Sequence, residues 1–165
     1  MTAITRQFRE NPLTKLVLGR GGLTKAAAAG AAEANLETIR DECIAEVDRD
    51  FDLLRRSAAD PGIRGALGVQ REIYAHANSI AGIAGCCGLG EMGEAAFSLC
   101  ELVDRQIVAG AWNDDAVSVH INAMSLLRGL DVTLTPKDRR SMLAGLRSVA
   151  LTARLAPGGD PPPGG

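Results

Sequence analysis

Two histidines, four cysteines and a run of glycines are the residues in this chain with distinctive chemistry to offer. A neutral imidazole can act as nucleophile, general base or metal ligand. His76 opens the stretch H-A-N-S-I-A-G-I-A-G-C-C-G-L, residues 76–89, in which glycines follow at 82, 85 and 88. His120 stands among Val117, Val119, Ile121 and Met124. Cys43, Cys86, Cys87 and Cys100 form no C-x-x-C pair, and two histidines do not complete a zinc ligand set with them. The adjacent Cys86 and Cys87 would suit redox or soft-metal chemistry. The simpler reading is small apolar residues in a reducing compartment. The sequence holds no nucleotide-binding loop and no carboxylate pair spaced for catalysis, so neither a metal nor a cofactor is expected.

Whatever these residues do, the periodicity places them on helices. Hydrophobic residues make up 46% of the 165 and aromatics only 3%, so the core must be built from Ala, Leu, Ile, Val and Met, a composition that favours close helix packing over a sheet. The alanine-rich stretch after Thr24 runs into an amphipathic segment with Leu36, Ile39, Cys43, Val47, Phe51 and Leu54 on one stripe. Gly30 is expected to break its first part. After the Asp60-Pro61-Gly62 turn, a second helix carries Val69, Ile73, Ala77, Ile80 and Ala84 on one face, and Gly88 and Gly90 interrupt it. A third helix, from about residue 91 to 108, points Met92, Ala95, Ala96, Leu99, Leu102 and Val103 inward and ends at Gly110. Asn113 caps a fourth, with Asp114 and Asp115 in its first turn and Gly129 at its exit. Thr135-Pro136 starts a last helix that reaches about Leu155.

The expected fold is therefore all-α: an antiparallel helical bundle over residues 23–155, preceded by an extended arm at 1–22 and followed by a disordered Pro/Gly tail at 156–165. The net charge is −2 and no basic stripe stands out, which argues against nucleic acid as a partner. No apolar run approaches the roughly 20 residues that cross a bilayer, and the N-terminal segment lacks the apolar core of a secretory signal, so a cytoplasmic protein without membrane association is expected.

On the second helix, about 100° per residue puts Asn78, Gly82 and Gly85 on one face, with Arg71, Tyr74, Ala75 and Ala81 around them. Glycine inside a helix costs about 1 kcal/mol relative to alanine, so two on one face need a reason. One is close approach of another chain; the other is tight packing inside the bundle. Ile73, Ile80 and Ala84 already occupy the opposite, core-facing side, which favours docking. His76 is two residues, about 200°, from Asn78 and lies off this patch. Both His76 and His120 are expected to be half-buried and hydrogen-bonded.

These residues resemble the histidine phosphotransfer domain, including the type found in chemotaxis kinases. That family's helix reads His-Ser-Ile-Lys-Gly, then Ala-Gly and a further Gly. Here Asn78-Ser79-Ile80-Ala81-Gly82 is followed by Ala84-Gly85 and Gly88-Leu89. F-S-L-C-E-L-V-D, residues 97–104, and the alanine-rich lead-in G-G-L-T-K-A-A-A-A-G-A-A-E-A-N-L-E-T-I-R-D-E are similar to segments of an alphaproteobacterial set of such proteins. The resemblance covers roughly residues 19 to 130 and implies a four-helix bundle of the phosphotransfer type with additional terminal helical segments. It puts Asn78 where the family has its phosphoacceptor histidine and Ala81 where it has a lysine. An amide nitrogen, its lone pair delocalised into the carbonyl, is no nucleophile.

Three functions follow as expectations. The first is a degenerate, non-enzymatic phosphotransfer module that docks on a response-regulator receiver domain or a histidine kinase through Arg71, Tyr74, Ala75, Asn78, Ala81, Gly82 and Gly85, in a two-component or chemotaxis pathway. The second is a working phosphorelay intermediate with His76 as acceptor, a register in which the glycine pattern fails. The third is a helical scaffold whose glycine face packs on a second copy as a homodimer.

Overall fold

The computed structural model describes residues 24–60, 62, 66–129 and 134–152. These form five α-helices and, among the described residues, no strand: α1 (Lys25–Ala58), α2 (Leu67–Ile83), α3 (Gly90–Ala109), α4 (Asp114–Arg128) and α5 (Pro136–Thr152). A 3-10 turn, Ala84–Cys87, extends the end of α2. The chain is thus all-α. The arm at 1–22 and the Pro/Gly tail at 156–165 lie outside the described residues, as does the expected end of the last helix at Leu155.

The chain divides into two compact units, residues 1–38 and 39–165, with the boundary inside α1. Of the first unit, Thr24–Thr38 is described: Thr24 accepts a hydrogen bond from the Ala27 N–H at its hydroxyl, and α1 continues through Gly30 without interruption. The break expected at Gly30 does not occur. The alanines around it have the highest helix propensity and outweigh the local cost of one glycine.

In the second unit the core is a single cluster. It gathers Val47, Phe51 and Leu54 of α1, Ile73, Ala77 and Ile80 of α2, Met92, Leu99, Leu102 and Val103 of α3, Val117, Met124 and Leu127 of α4, and Leu143 and Leu146 of α5. Of the stripe expected on α1, burial begins only at Cys43; Leu36 and Ile39 are 65% and 54% exposed. Trp112, in the short link after Gly110, also turns inward to this core, which the helical stripes gave no reason to expect.

Polar pairs tie the helices in register. Asp50 of α1 meets His76 of α2, and Ser57 meets Glu72 further along, so these two helices run antiparallel. Asp48 receives both Nε and Nη2 of Arg128 of α4 at 2.6 and 2.7 Å, a two-pronged pair that raises the Arg128 pKa. Ser98 of α3 meets His120 of α4. Between α2 and α3 the approach is steric: a Cβ added at Gly93 would stand 3.3 Å from the Ala84 Cβ and 3.7 Å from the Ala81 carbonyl oxygen.

The caps read from sequence are in place for α4 and α5. Asn113 Oδ1 accepts the Ala116 N–H at 2.9 Å. Thr135 and Asp138 form a reciprocal box: the Asp138 N–H reaches the Thr135 hydroxyl, and the Thr135 N–H and hydroxyl both reach the Asp138 carboxylate. The hydroxyl bond holds that carboxyl below its usual pKa. Gly110 closes α3 in the left-handed region at φ 61°. Gly129, expected to serve α4 likewise, exits in an extended conformation with φ −65°, so its role is not conformational freedom.

Ile80 and Leu36 test this burial pattern. Ile80→Ala removes a fully buried side chain and is expected to cost about 2–5 kcal/mol in urea unfolding, whereas Leu36→Ala is expected to stay within about 0.5 kcal/mol of the parent.

Candidate functional site

Helix α2 presents the expected patch to solvent. Arg71, Tyr74, Ala75, Asn78, Gly82 and Gly85 are exposed, and Ala81 is half-buried at the edge facing α3. The three glycines of the motif separate by cause. Gly88 has φ +81°, closes the 3-10 turn with its N–H on the Ala84 and Gly85 carbonyls, and packs against the Arg40 guanidinium, so the backbone requires glycine there. Gly82 and Gly85 have helical φ, and a Cβ added at either would meet nothing within 4 Å. No packing among the described residues accounts for them.

The patch does not end at α2. Cys100 Sγ of α3 lies 3.9 Å from the Tyr74 carbonyl oxygen, and Gly93 sits against Ala81 and Ala84. The two contacts set α2 and α3 antiparallel, and Phe97, between Gly93 and Cys100, stands level with the turn of α2 that carries Asn78. Beside the patch is an open concavity of about 450 Å³, lined by Ala81 of α2 and Gly85 of the 3-10 turn after it, by Gly90, Gly93, Glu94, Phe97, Ser98 and Glu101 of α3, and by Arg147 of α5. Phe97 is 59% exposed. Arg147 reaches Glu94 at 2.7 Å across its rim. Sequence reasoning missed the α3 and α5 members. One signal was available: Phe97 is an aromatic off the inward stripe of α3, in a chain with three phenylalanines.

Neither histidine belongs to this surface. His76 is half-buried, its side chain 24% exposed, and its Nδ1 donates to Asp50 Oδ1 at 2.9 Å. Its Nε2 has no partner among the described residues and is not among the polar atoms sealed from solvent. A carboxylate on Nδ1 fixes the tautomer that leaves Nε2 with its lone pair free, the arrangement of a nucleophilic or basic imidazole. His120, expected to be half-buried, is fully buried: Nδ1 donates to the Ala116 carbonyl at 2.8 Å and Nε2 lies 3.1 Å from Ser98 Oγ. Burial pushes its pKa down, against the smaller opposing pull of the Ala116 and Leu146 carbonyls.

The four cysteines are all free thiols. Burial raises Cys87, and raises Cys100 to about 11, which keeps both protonated and poorly nucleophilic at neutral pH. Among the described residues no three of His, Cys, Asp and Glu converge as metal ligands, and no helix is long and apolar enough to cross a membrane.

Comparison with known proteins finds no match for this chain: no family model, no curated protein and no solved structure.

The buried His120 has a consequence in solution. Its folded pKa lies below the unfolded value near 6.5, so the unfolded state takes up the proton first and the His120 contribution to stability is lost as pH falls through about 6.5. Urea unfolding at pH 7.5 and 5.5 is expected to show this loss, and His120→Gln, which cannot titrate, is expected to flatten the difference.

Proposed function

We propose that the protein is a phosphotransfer-like docking module of a two-component or chemotaxis pathway, which binds a receiver domain or a histidine kinase without carrying phosphate. The reading rests on one observation. The motif of the resemblance keeps an exposed surface whose two glycines, Gly82 and Gly85, meet no packing neighbour among the described residues, while the residue at the acceptor position, Asn78, is exposed but not nucleophilic. Small residues admit a partner's loop to the helix backbone, and an amide still offers it hydrogen bonds. Ala81, in place of a lysine, removes the cation that would sit beside a phosphoryl group. The antiparallel order of α1, α2, α3 and α4 suits the four-helix arrangement that the resemblance implies, with α5 in addition.

A second reading has its own observation. The Asp50–His76 pair orients an imidazole with Nε2 open, which is what a phosphoacceptor at His76 would need. It lies on a different flank of α2 from the glycines, so a partner engaging it would not use the Gly82–Gly85 face.

Phosphoryl transfer from labelled, phosphorylated receivers separates the two. The docking reading expects no acid-labile label on the parent chain and label acceptance by the double variant Asn78→His, Ala81→Lys. It also expects Gly82→Arg, which meets no steric obstacle in the fold, to weaken receiver binding tenfold or more, about 1.4 kcal/mol. Label on the parent chain that disappears in His76→Ala would replace docking by relay chemistry.

A further inference from the structure

The concavity beside the glycine patch is asymmetric in charge. On α3, Glu94, Phe97 and Glu101 follow one another at i, i+3 and i+7, so they form one line along the helix, with the ring between the two carboxylates. The carboxylates are seven residues apart, about 10 Å along the axis. Glu94 is occupied by the chain's own Arg147 at 2.7 Å. Glu101 has no ion-pair partner among the described residues. The floor is Ala81, Gly85, Gly90 and Gly93, small residues that leave room for aliphatic methylenes, and Ser98 adds a hydroxyl held by His120.

From this geometry we propose that the concavity receives a basic side chain, lysine or arginine, of the docked protein partner, with its methylenes along Gly85 and Gly93, its cation over the Phe97 ring and its charge paired with Glu101. The proposal rests on the docking reading for its partner and adds the chemistry that partner must carry. Three features support the choice of a cation. Two carboxylates against one guanidinium leave the rim net negative. An exposed aromatic ring flanked by carboxylates attracts cations by its quadrupole and repels anions by its neighbours. The chain already seats one guanidinium, that of Arg147, on this rim, so the site accommodates the group sterically and electrostatically. Arg147 also limits the site: while it holds Glu94, only Glu101 is open to a partner. A volume of about 450 Å³ admits a long side chain together with part of the loop that bears it.

The test uses the full chain and needs no identified partner. N-acetyl-arginine amide and N-acetyl-lysine amide are titrated into isotopically labelled protein, with N-acetyl-glutamine amide as the neutral control, and the backbone amide resonances of Gly93, Ser98 and Glu101 are followed. The basic probes are expected to shift these resonances weakly and in a salt-sensitive way, and the neutral one not to. Glu101→Gln and Phe97→Ala are each expected to weaken the basic probes about two- to fivefold, the range of an exposed ion pair or cation–π contact. Arg147→Gln, which frees Glu94, is expected to tighten them by a similar factor, a gain that loss of packing would not produce. Equal shifts with the neutral probe, no loss in Glu101→Gln, or no gain in Arg147→Gln would overturn the proposal. So would shifts at these amides that grow with protein concentration alone, which would seat a second copy in the concavity. If a receiver binds and Gly82→Arg weakens it while Glu101→Gln does not, the docking reading stands and this site falls. If the basic probes bind as expected and no receiver does, the site stands and the receiver reading falls.

Discussion

The approach of α2 to α3 at Gly93 sets the geometry on which the candidate surface depends. A Cβ at Gly93 would stand 3.3 Å from the Ala84 Cβ and 3.7 Å from the Ala81 carbonyl oxygen, so even an alanine there would need its neighbour to give by a few tenths of an ångström. This close approach bears on how far α3 lies from α2, and Phe97, one turn on from Gly93, lines the concavity with Gly85 and Arg147. The small residues of α2 thus have two roles, divided by face: Ala84 and the edge of Ala81 serve packing, while Gly82 and Gly85 are left to solvent.

Several buried polar groups in the second unit are paired across helices. In a core with almost no aromatics, the buried Asp50, Ser98 and His120 each need a partner, because an unpaired polar group away from water costs roughly 1–3 kcal/mol. Asp50 finds His76 and Ser98 finds His120, so both histidines of the chain are held by neighbours on another helix. The two pairs differ in outlook. His120 is sealed, and its low pKa suits a neutral structural group. His76 keeps one nitrogen toward water, on the flank of α2 away from the glycine patch.

A surface that combines open glycines, an exposed tyrosine and phenylalanine, and a net negative rim is suited to a loop that brings backbone close and carries a positive charge. Exposed apolar side chains elsewhere, such as Val108 and Leu151, are ordinary for a protein surface. The α2–α3 surface differs in that its apolar, small and charged members are contiguous and lie along one edge.

Much of this was legible in the sequence because it depends on local rules. Helix spans, the Asn113 and Thr135 caps, and the inward stripes of α2 and α3 all follow from 3.6 residues per turn and from the hydrogen-bonding of short side chains, which act within a few residues. What failed locally failed by small margins: one glycine at 30 against a run of alanines, and Gly129 leaving its helix in an extended conformation. What only the tertiary structure decided depends on residues far apart in the chain. No local rule says that Asp50 meets His76, that Glu101 stays open while Glu94 is taken by Arg147, or that Ile39 of the α1 stripe is exposed while Val47 is buried. Those outcomes follow from which helices become neighbours and in what register, and register is set by the steric fit at contacts such as Gly93 on Ala84, whose partners the sequence keeps apart.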